Sequence, residues 1–182
     1  MVVNSHAEAF ALMEEHLSSV TIELFDAYGF EVARLGGKER IPEERGRCVC
    51  SIIGYAADAV RGALVLLATP PAVTAWRQSA GASTDGTSDL CDTIGEFSNM
   101  LLGRLKSRLL TEGLPILLAT PTTAIGLNVE LSPSAAISSW MVFGSASWEM
   151  VVRFHANFDQ GFALQKRAGI EPPAEAGEMM LF

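Results

Sequence analysis

Glu96 and Asn99 stand three residues apart in a stretch with the pattern of a helix. A carboxylate can hold a lysine or a bound cation, and a carboxamide both donates and accepts hydrogen bonds, so that it can orient a water molecule. Residues i and i+3 of a helix are neighbours on its surface. Most such pairs belong simply to a solvated helix face, so the spacing alone does not establish a catalytic site.

The segment that must position this pair is predicted to be one long amphipathic helix, from about Ser88 to Glu112. Its apolar residues recur every three or four positions, as a buried face requires; they are Leu90, Ile94, Phe97, Leu101, Leu105 and Leu109. The opposite face holds Asp89, Asp92, Glu96, Asn99, Gly103 and Lys106. Glycine costs about 1 kcal/mol in a helix relative to alanine. At Gly103 the missing side chain would let another molecule approach the backbone beside Glu96 and Asn99.

The rest of the chain predicts two further helices and several strands. Ser5 and Glu8 have the spacing of a capping box, which predicts an amphipathic helix over residues 5 to 27. Thr69 followed by two prolines predicts the start of a short helix that ends near Ser79. Strands are predicted at 47–56 and 62–68 as a hairpin, at 140–146 and 148–156 as a second hairpin, and within 114–131. Residues 30 to 46 are predicted to be a loop or a short extended connection.

This order of elements predicts the fold class. Strands that are mostly neighbours in sequence favour an α+β fold with a largely antiparallel sheet and helices packed on one face. Residues 1–157 are predicted to form a single domain. Residues 158–182 are polar and contain two consecutive prolines, so they are predicted to be a partly loose C-terminal extension.

Composition excludes several classes of function. The chain has 182 residues and a net charge of −8, which argues against nucleic acid as its main partner. No apolar run approaches the roughly 18 residues of a membrane span, and the N-terminus lacks the pattern of a secretory signal. Three cysteines, an odd number, are best explained as reduced thiols. We therefore expect a cytoplasmic protein that does not bind a membrane.

Other familiar chemical motifs are missing. Cys48 and Cys50 lie on one side of a predicted strand, but no second Cys or His pair stands at metal-binding distance in sequence, so no metal site is expected. The three histidines form no close pattern, and there is no Gly-x-Ser-x-Gly elbow and no phosphate-binding glycine loop. The pair Glu96 and Asn99 is thus the strongest candidate for chemistry.

The run from Asp92 to Ser107 resembles the signature helix of the CheC/CheX/FliY phosphatases of bacterial chemotaxis. Their motif is Glu-x-x-Asn followed about twenty residues later by a proline, and here Glu96-Phe-Ser-Asn99 is followed by Pro121. The stretch from Gly113 to Gly126 is similar to that family's segment after the helix. CheC carries two such motifs, one in each half of the protein. The first helix of this chain has no second Glu-x-x-Asn, so the likeness is greatest to CheX.

The resemblance implies a function and a set of partners. It implies hydrolysis of the aspartyl phosphate on a CheY-like response regulator, with Asn99 orienting the attacking water and Glu96 pairing with the regulator's lysine. Asp92 and Gly103 would contact the partner. No cofactor of its own is expected, since the Mg²⁺ would belong to the regulator. A homodimer is also implied.

Two other functions compete with this interpretation. The first is a non-catalytic receiver-binding or scaffold module on the same fold, akin to the middle domains of flagellar switch proteins. The retention of both Glu96 and Asn99 counts against it. The second is an unrelated ligand-binding dimer that uses a pocket under Trp140 and Trp148.

Overall fold

The computed structural model describes residues 2–3, 5–38, 46–81, 86–127, 129, 137–162 and 164–165. Within them lie three helices: α1 (His6–Ala27), α2 (Pro70–Ser79) and α3 (Thr87–Thr111). The strands are β1 (Val2–Val3), β2 (Ala33–Gly36), β3 (Arg47–Ala57), β4 (Val60–Ala68), β5 (Leu117–Leu118), β6 (Thr122–Leu127), β7 (Ile137–Gly144), β8 (Glu149–Phe158) and β9 (Leu164–Gln165). This composition confirms the predicted α+β class.

The main sheet has seven strands in the order β2-β7-β8-β4-β3-β5, and β6 also pairs with β3. Every pairing is antiparallel. The long strand β3 pairs with both β5 and β6. Its residues Tyr55 and Ala56 pair with β5, while the run from Arg47 to Ile52 pairs with β6. The chain after α3 therefore returns along β3, which brings Pro121 and β6 beneath the helix.

α1 and α2 begin where their capping residues predict. The Ser5 hydroxyl accepts a hydrogen bond from the Glu8 amide at 3.2 Å, which satisfies an otherwise unpaired donor at the start of α1. Thr69 does the same for the Ala72 amide at 3.4 Å, and Pro70 occupies the first turn of α2. α3 runs from Thr87 to Thr111, one residue earlier at each end than predicted.

All three helices pack on one face of the sheet, around a cluster of aromatic rings. Phe25 of α1 lies 5.0 Å from Trp76 of α2 and 5.2 Å from Phe97 of α3, between ring centroids. Trp148, just before β8, closes the cluster at 5.2 Å from Trp76. Aromatic pairs at such distances add stabilisation beyond the area they bury. The core thus holds α3 against the sheet, and the buried residues of this helix run from Thr93 to Leu109.

The opposite face of the sheet is also partly buried. Cys48, Cys50, Val65 and Leu67 form a second, smaller apolar cluster there. On the same face the Arg153 guanidinium lies 4.3 Å from the centroid of the Trp140 ring, in cation–π contact. Arg153 is only 9% exposed, because the Trp140 ring of the neighbouring strand β7 packs on it.

The structure adds detail in two segments that the sequence left open. β2 lies in the stretch predicted to be a loop or extended connection, and its backbone pairs with β7. Beyond the boundary predicted at residue 157 the described chain is still packed: Phe162 and Leu164 are buried, and β9 pairs with β1. Residues 166–182 of the predicted extension lie outside the described residues. Among the described helices, none has the length and apolar character needed to span a membrane.

Candidate functional site

α3 divides its side chains between the core and the solvent. Ile94, Phe97, Leu101 and Leu105 are at most 2% exposed. Asp92, Glu96 and Asn99 lie on the other side of the helix and are exposed. Three of the four residues proposed from the sequence are therefore presented together on a rigid element.

These three residues line one open cavity of about 360 Å³. α3 contributes Cys91, Asp92, Gly95, Glu96 and Asn99 to its wall, and the chain at the start of β6 contributes Pro121 and Thr123. The proline that follows the Glu-x-x-Asn motif in sequence thus lies beside it in space. The cavity offers two carboxylates and a carboxamide above a wall that is partly apolar.

Gly103, the fourth residue, does not line the cavity. It is half-buried on α3, and a Cβ added there would meet nothing within 4 Å. The glycine that shapes the cavity is Gly95, which is not among the four residues proposed from the sequence. A Cβ at Gly95 would lie 3.2 Å from Thr123 Cγ2 and 3.9 Å from Pro121 Cγ. The only signal in the sequence was its position directly before Glu96.

Polar contacts fix α3 at both ends. Arg77 of α2 contacts Asp89 at 3.6 Å and donates a hydrogen bond to Thr93 Oγ1 at 3.4 Å. Near the other end, Arg108 Nη2 donates to both carboxylate oxygens of Glu23 on α1, at 2.6 and 2.7 Å. These contacts orient the helix surface that carries Glu96 and Asn99.

Glu96 and Asn99 make no hydrogen bond or ion pair with other side chains in the described part of the chain. The Glu96 carboxylate acts electrostatically on Tyr28, at the end of α1. Burial, and secondarily the Glu96 carboxylate, raise the pKa of the Tyr28 phenol, while Arg104 lowers it. The carboxylate and the carboxamide are therefore available to a binding partner.

The remaining candidates from the sequence lie away from this cavity. Cys48 and Cys50 are buried on the far face of the sheet. Trp148 belongs to the core and Trp140 to the far face, so the two tryptophans do not share a pocket. Among the described residues, no group of three or more His, Cys, Asp and Glu side chains is placed to hold a metal ion.

Fold and site together define an α+β protein whose polar candidate site lies open on the surface of a helix. The family model described as "Chemotaxis phosphatase CheX" matches residues 49–144, which run from the third residue of β3 through α2 and α3 to the end of β7. The chain belongs to the CheX family. A comparison with curated proteins finds no match.

Solved structures share the fold. A CheC-like chemotactic protein from Shewanella oneidensis is 20% identical, with a TM-score of 0.66 over 80% of this chain and 95% of that one. CheX from Vibrio vulnificus is also 20% identical, with a TM-score of 0.66 over 85% of this chain and 100% of that one.

A third structure contains a partner. The CheX–CheY–BeF3–Mg²⁺ complex from Borrelia burgdorferi is 15% identical to this chain, with a TM-score of 0.62 over 80% of this chain and 95% of that one. At these identities the likeness establishes the fold, which is that of CheC- and CheX-like proteins.

Proposed function

We propose that this protein hydrolyses the aspartyl phosphate of a CheY-like response regulator. The observation that carries the proposal is the pair Glu96 and Asn99, which stand one turn apart, exposed and without side-chain partners in the described chain, beside the cavity at Pro121. Membership of a family described as a chemotaxis phosphatase and the CheX–CheY complex of Borrelia burgdorferi support it.

The chemistry suits these residue types. An aspartyl phosphate is an activated acyl phosphate, so its hydrolysis needs a well-placed water more than a strong nucleophile. The water oxygen bonds to phosphorus as the bond from phosphorus to the aspartate oxygen breaks. The regulator regains its carboxylate, and the water's protons leave with the phosphate. The carboxamide of Asn99 would hold this water in line with the breaking bond.

Glu96 and Asp92 would hold the partner in place. A lysine of the regulator would pair with the Glu96 carboxylate, one turn from Asn99, and Asp92 would extend this acidic contact by a further turn. Gly103, with open space where a side chain would stand, would admit a segment of the partner close to the helix. Mg²⁺ is assigned to the regulator, where it would neutralise charge on the phosphoryl group.

The deciding experiment measures loss of phosphate from a cognate phosphorylated receiver domain. Asn99→Ala should lower the turnover rate by about 100-fold or more, since misplacing one reacting group has this effect, and its circular dichroism should match wild type. Gln78→Ala, which removes an exposed carboxamide on α2, is the matched control and should keep full activity.

Two outcomes would redirect the proposal. If Asn99→Ala were as active as wild type, Asn99 would not orient the water. If wild type bound the phosphorylated receiver domain without releasing phosphate, the protein would be a non-catalytic binding module on the same fold. The homodimer and the cytoplasmic location expected from the sequence stay predictions.

A further inference from the structure

Arg104 lies on α3 two turns beyond Glu96 and is exposed. The three helices carry three arginines. Arg77 contacts Asp89 at 3.6 Å and Arg108 contacts Glu23 at 2.6 Å. Among the residues that the structure describes, Arg104 has no such carboxylate partner. Its charge is therefore presented to the solvent on the same helix as the proposed catalytic pair.

Tyr28 connects this arginine with the site. Its ring packs on Phe97 with 5.0 Å between centroids, and its hydroxyl donates to Met100 Sδ at 3.5 Å. Met100 stands four residues after Glu96 and four before Arg104, so it occupies the helical turn between them. The phenol at the end of α1 thus covers the surface that separates the two charges.

Electrostatics agree with this placement. The Glu96 carboxylate and the Arg104 guanidinium act on the pKa of the Tyr28 phenol in opposite directions, after the larger effect of burial. One hydroxyl is therefore within range of both charges. A continuous patch runs from Glu96 across Met100 and Tyr28 to Arg104, negative at one end and positive at the other.

We propose that this patch is part of the docking surface for the phosphorylated receiver domain, and that Arg104 binds a carboxylate of that partner. The inference rests on the proposed function and adds the direction in which the partner lies on α3. Eight residues of helix place the two charges about 12 Å apart along the axis. A partner with a lysine opposite Glu96 and a carboxylate opposite Arg104 fits in one direction, whereas the reverse direction brings like charges together.

The test compares charge reversal at two exposed arginines. Arg104→Glu should raise KM for the phosphorylated receiver domain about tenfold in low salt, because charges at an interface rim act mainly on the association rate. The increase should shrink at about 1 M salt, where the Debye length falls to about 3 Å. The value of kcat should stay within about twofold of wild type. Arg104→Gln should give a smaller increase in KM.

Arg61→Glu is the matched control. Arg61 is 71% exposed on β4, where it lies 3.8 Å from Asp159, and its reversal changes the net charge of the chain by the same amount. It should leave KM unchanged. Affinity for a beryllofluoride-loaded receiver domain, measured by titration calorimetry, supplies a second readout that does not need turnover.

The outcomes separate this inference from the proposed function. If Arg104→Glu and Arg61→Glu behaved alike, or if Arg104→Glu lowered kcat at constant KM, Arg104 would not belong to the docking surface, even with Asn99→Ala inactive. If wild type bound the beryllofluoride-loaded domain without turnover and Arg104→Glu weakened that binding, the docking surface would stand and the phosphatase would not. Absence of binding by wild type would overturn the docking surface.

Discussion

Gly95 faces Thr123 across the line where α3 meets β6, and a methyl group at Gly95 would lie 3.2 Å from Thr123 Cγ2. Real side chains rarely pack at this distance, so the Thr123 side chain or one of the two elements would have to move by a few tenths of an ångström. The missing side chain lets the helix lie close to the strand that follows Pro121. The cavity beside Asn99 has its present shape because position 95 is a glycine.

Gly95→Ala should therefore separate activity from stability. Alanine favours the helix by up to about 1 kcal/mol, while the contact with Thr123 works against it, so the free energy of unfolding should change by less than about 1 kcal/mol. Phosphatase activity should fall at least tenfold, because a displacement of the helix or of β6 moves Asn99 relative to the bound phosphate. Chemical denaturation and phosphate release measure the two effects.

Gly103→Ala is the companion variant. No atom lies within 4 Å of the added methyl group, so the protein should gain up to about 1 kcal/mol of stability. If Gly103 contacts the partner, KM should rise as well. If Gly95→Ala lost activity only to the extent that the protein unfolded, the shape of the cavity would affect phosphatase activity only through folding.

Thiol labelling should report the docking surface directly. Cys91 is half-buried on the cavity wall, whereas Cys48 and Cys50 are buried. Burial, together with Cys48, raises the pKa of the Cys50 thiol to about 11, which keeps it protonated and unreactive near neutral pH. A maleimide reagent should therefore modify Cys91 first, as mass spectrometry of peptides would show.

The phosphorylated or beryllofluoride-loaded receiver domain should slow this labelling at least fivefold, because the docked partner covers the cavity. Cys91→Ser should abolish the fast phase of modification. Labelling of Cys91 at the same rate with and without a bound receiver domain would place the partner elsewhere on the surface.

His155 should make stability depend on pH. Its pKa is lowered, first by burial and then by the nearby Arg153, so the folded protein favours the neutral ring. The unfolded chain binds the proton near pH 6.5 and the folded chain only at lower pH. The stability contributed by the neutral ring is therefore complete above about pH 6.5 and is lost as the pH falls below it.

Urea unfolding at pH 7.5 and at pH 5.5 measures this effect, with His155→Gln as the comparison. Wild type should lose more stability between the two pH values than the variant, and the difference between the two proteins isolates the histidine from the acidic side chains. If the free energy of unfolding of wild type and of His155→Gln changed by the same amount between the two pH values, His155 would not have this role.

The sequence predicted those elements whose signals are local. Ser5 with Glu8 and Thr69 with Pro70 mark the starts of helices through contacts within four residues, and the apolar face of α3 needs only its own period. β2 was not predicted as a strand because its four residues are largely exposed and too few to show a clear period. Pairing with β7, more than 100 residues away, makes it a strand.

The site was predictable only in part, for the same reason. Asp92, Glu96 and Asn99 share a helix face by spacing alone, and resemblance to a family pointed to their use. The contact of Gly95 with Thr123 joins residues 28 positions apart, and the approach of Tyr28 to Met100 joins residues 72 apart. No local sequence pattern predicts contacts between residues so far apart in the chain, so these neighbours of the site are visible only in the folded structure.

The aromatic cluster beneath α3 also bears on the entropy of association. Glu96 and Asn99 are carried by a helix whose opposite side is packed against Phe25 and Trp76, so its backbone has little freedom left to lose when a partner arrives. Ordering costs about 0.5–1.5 kcal/mol for each immobilised flexible side chain. Complex formation with the regulator should thus freeze a few side-chain torsions on this protein and no main-chain segment of α3.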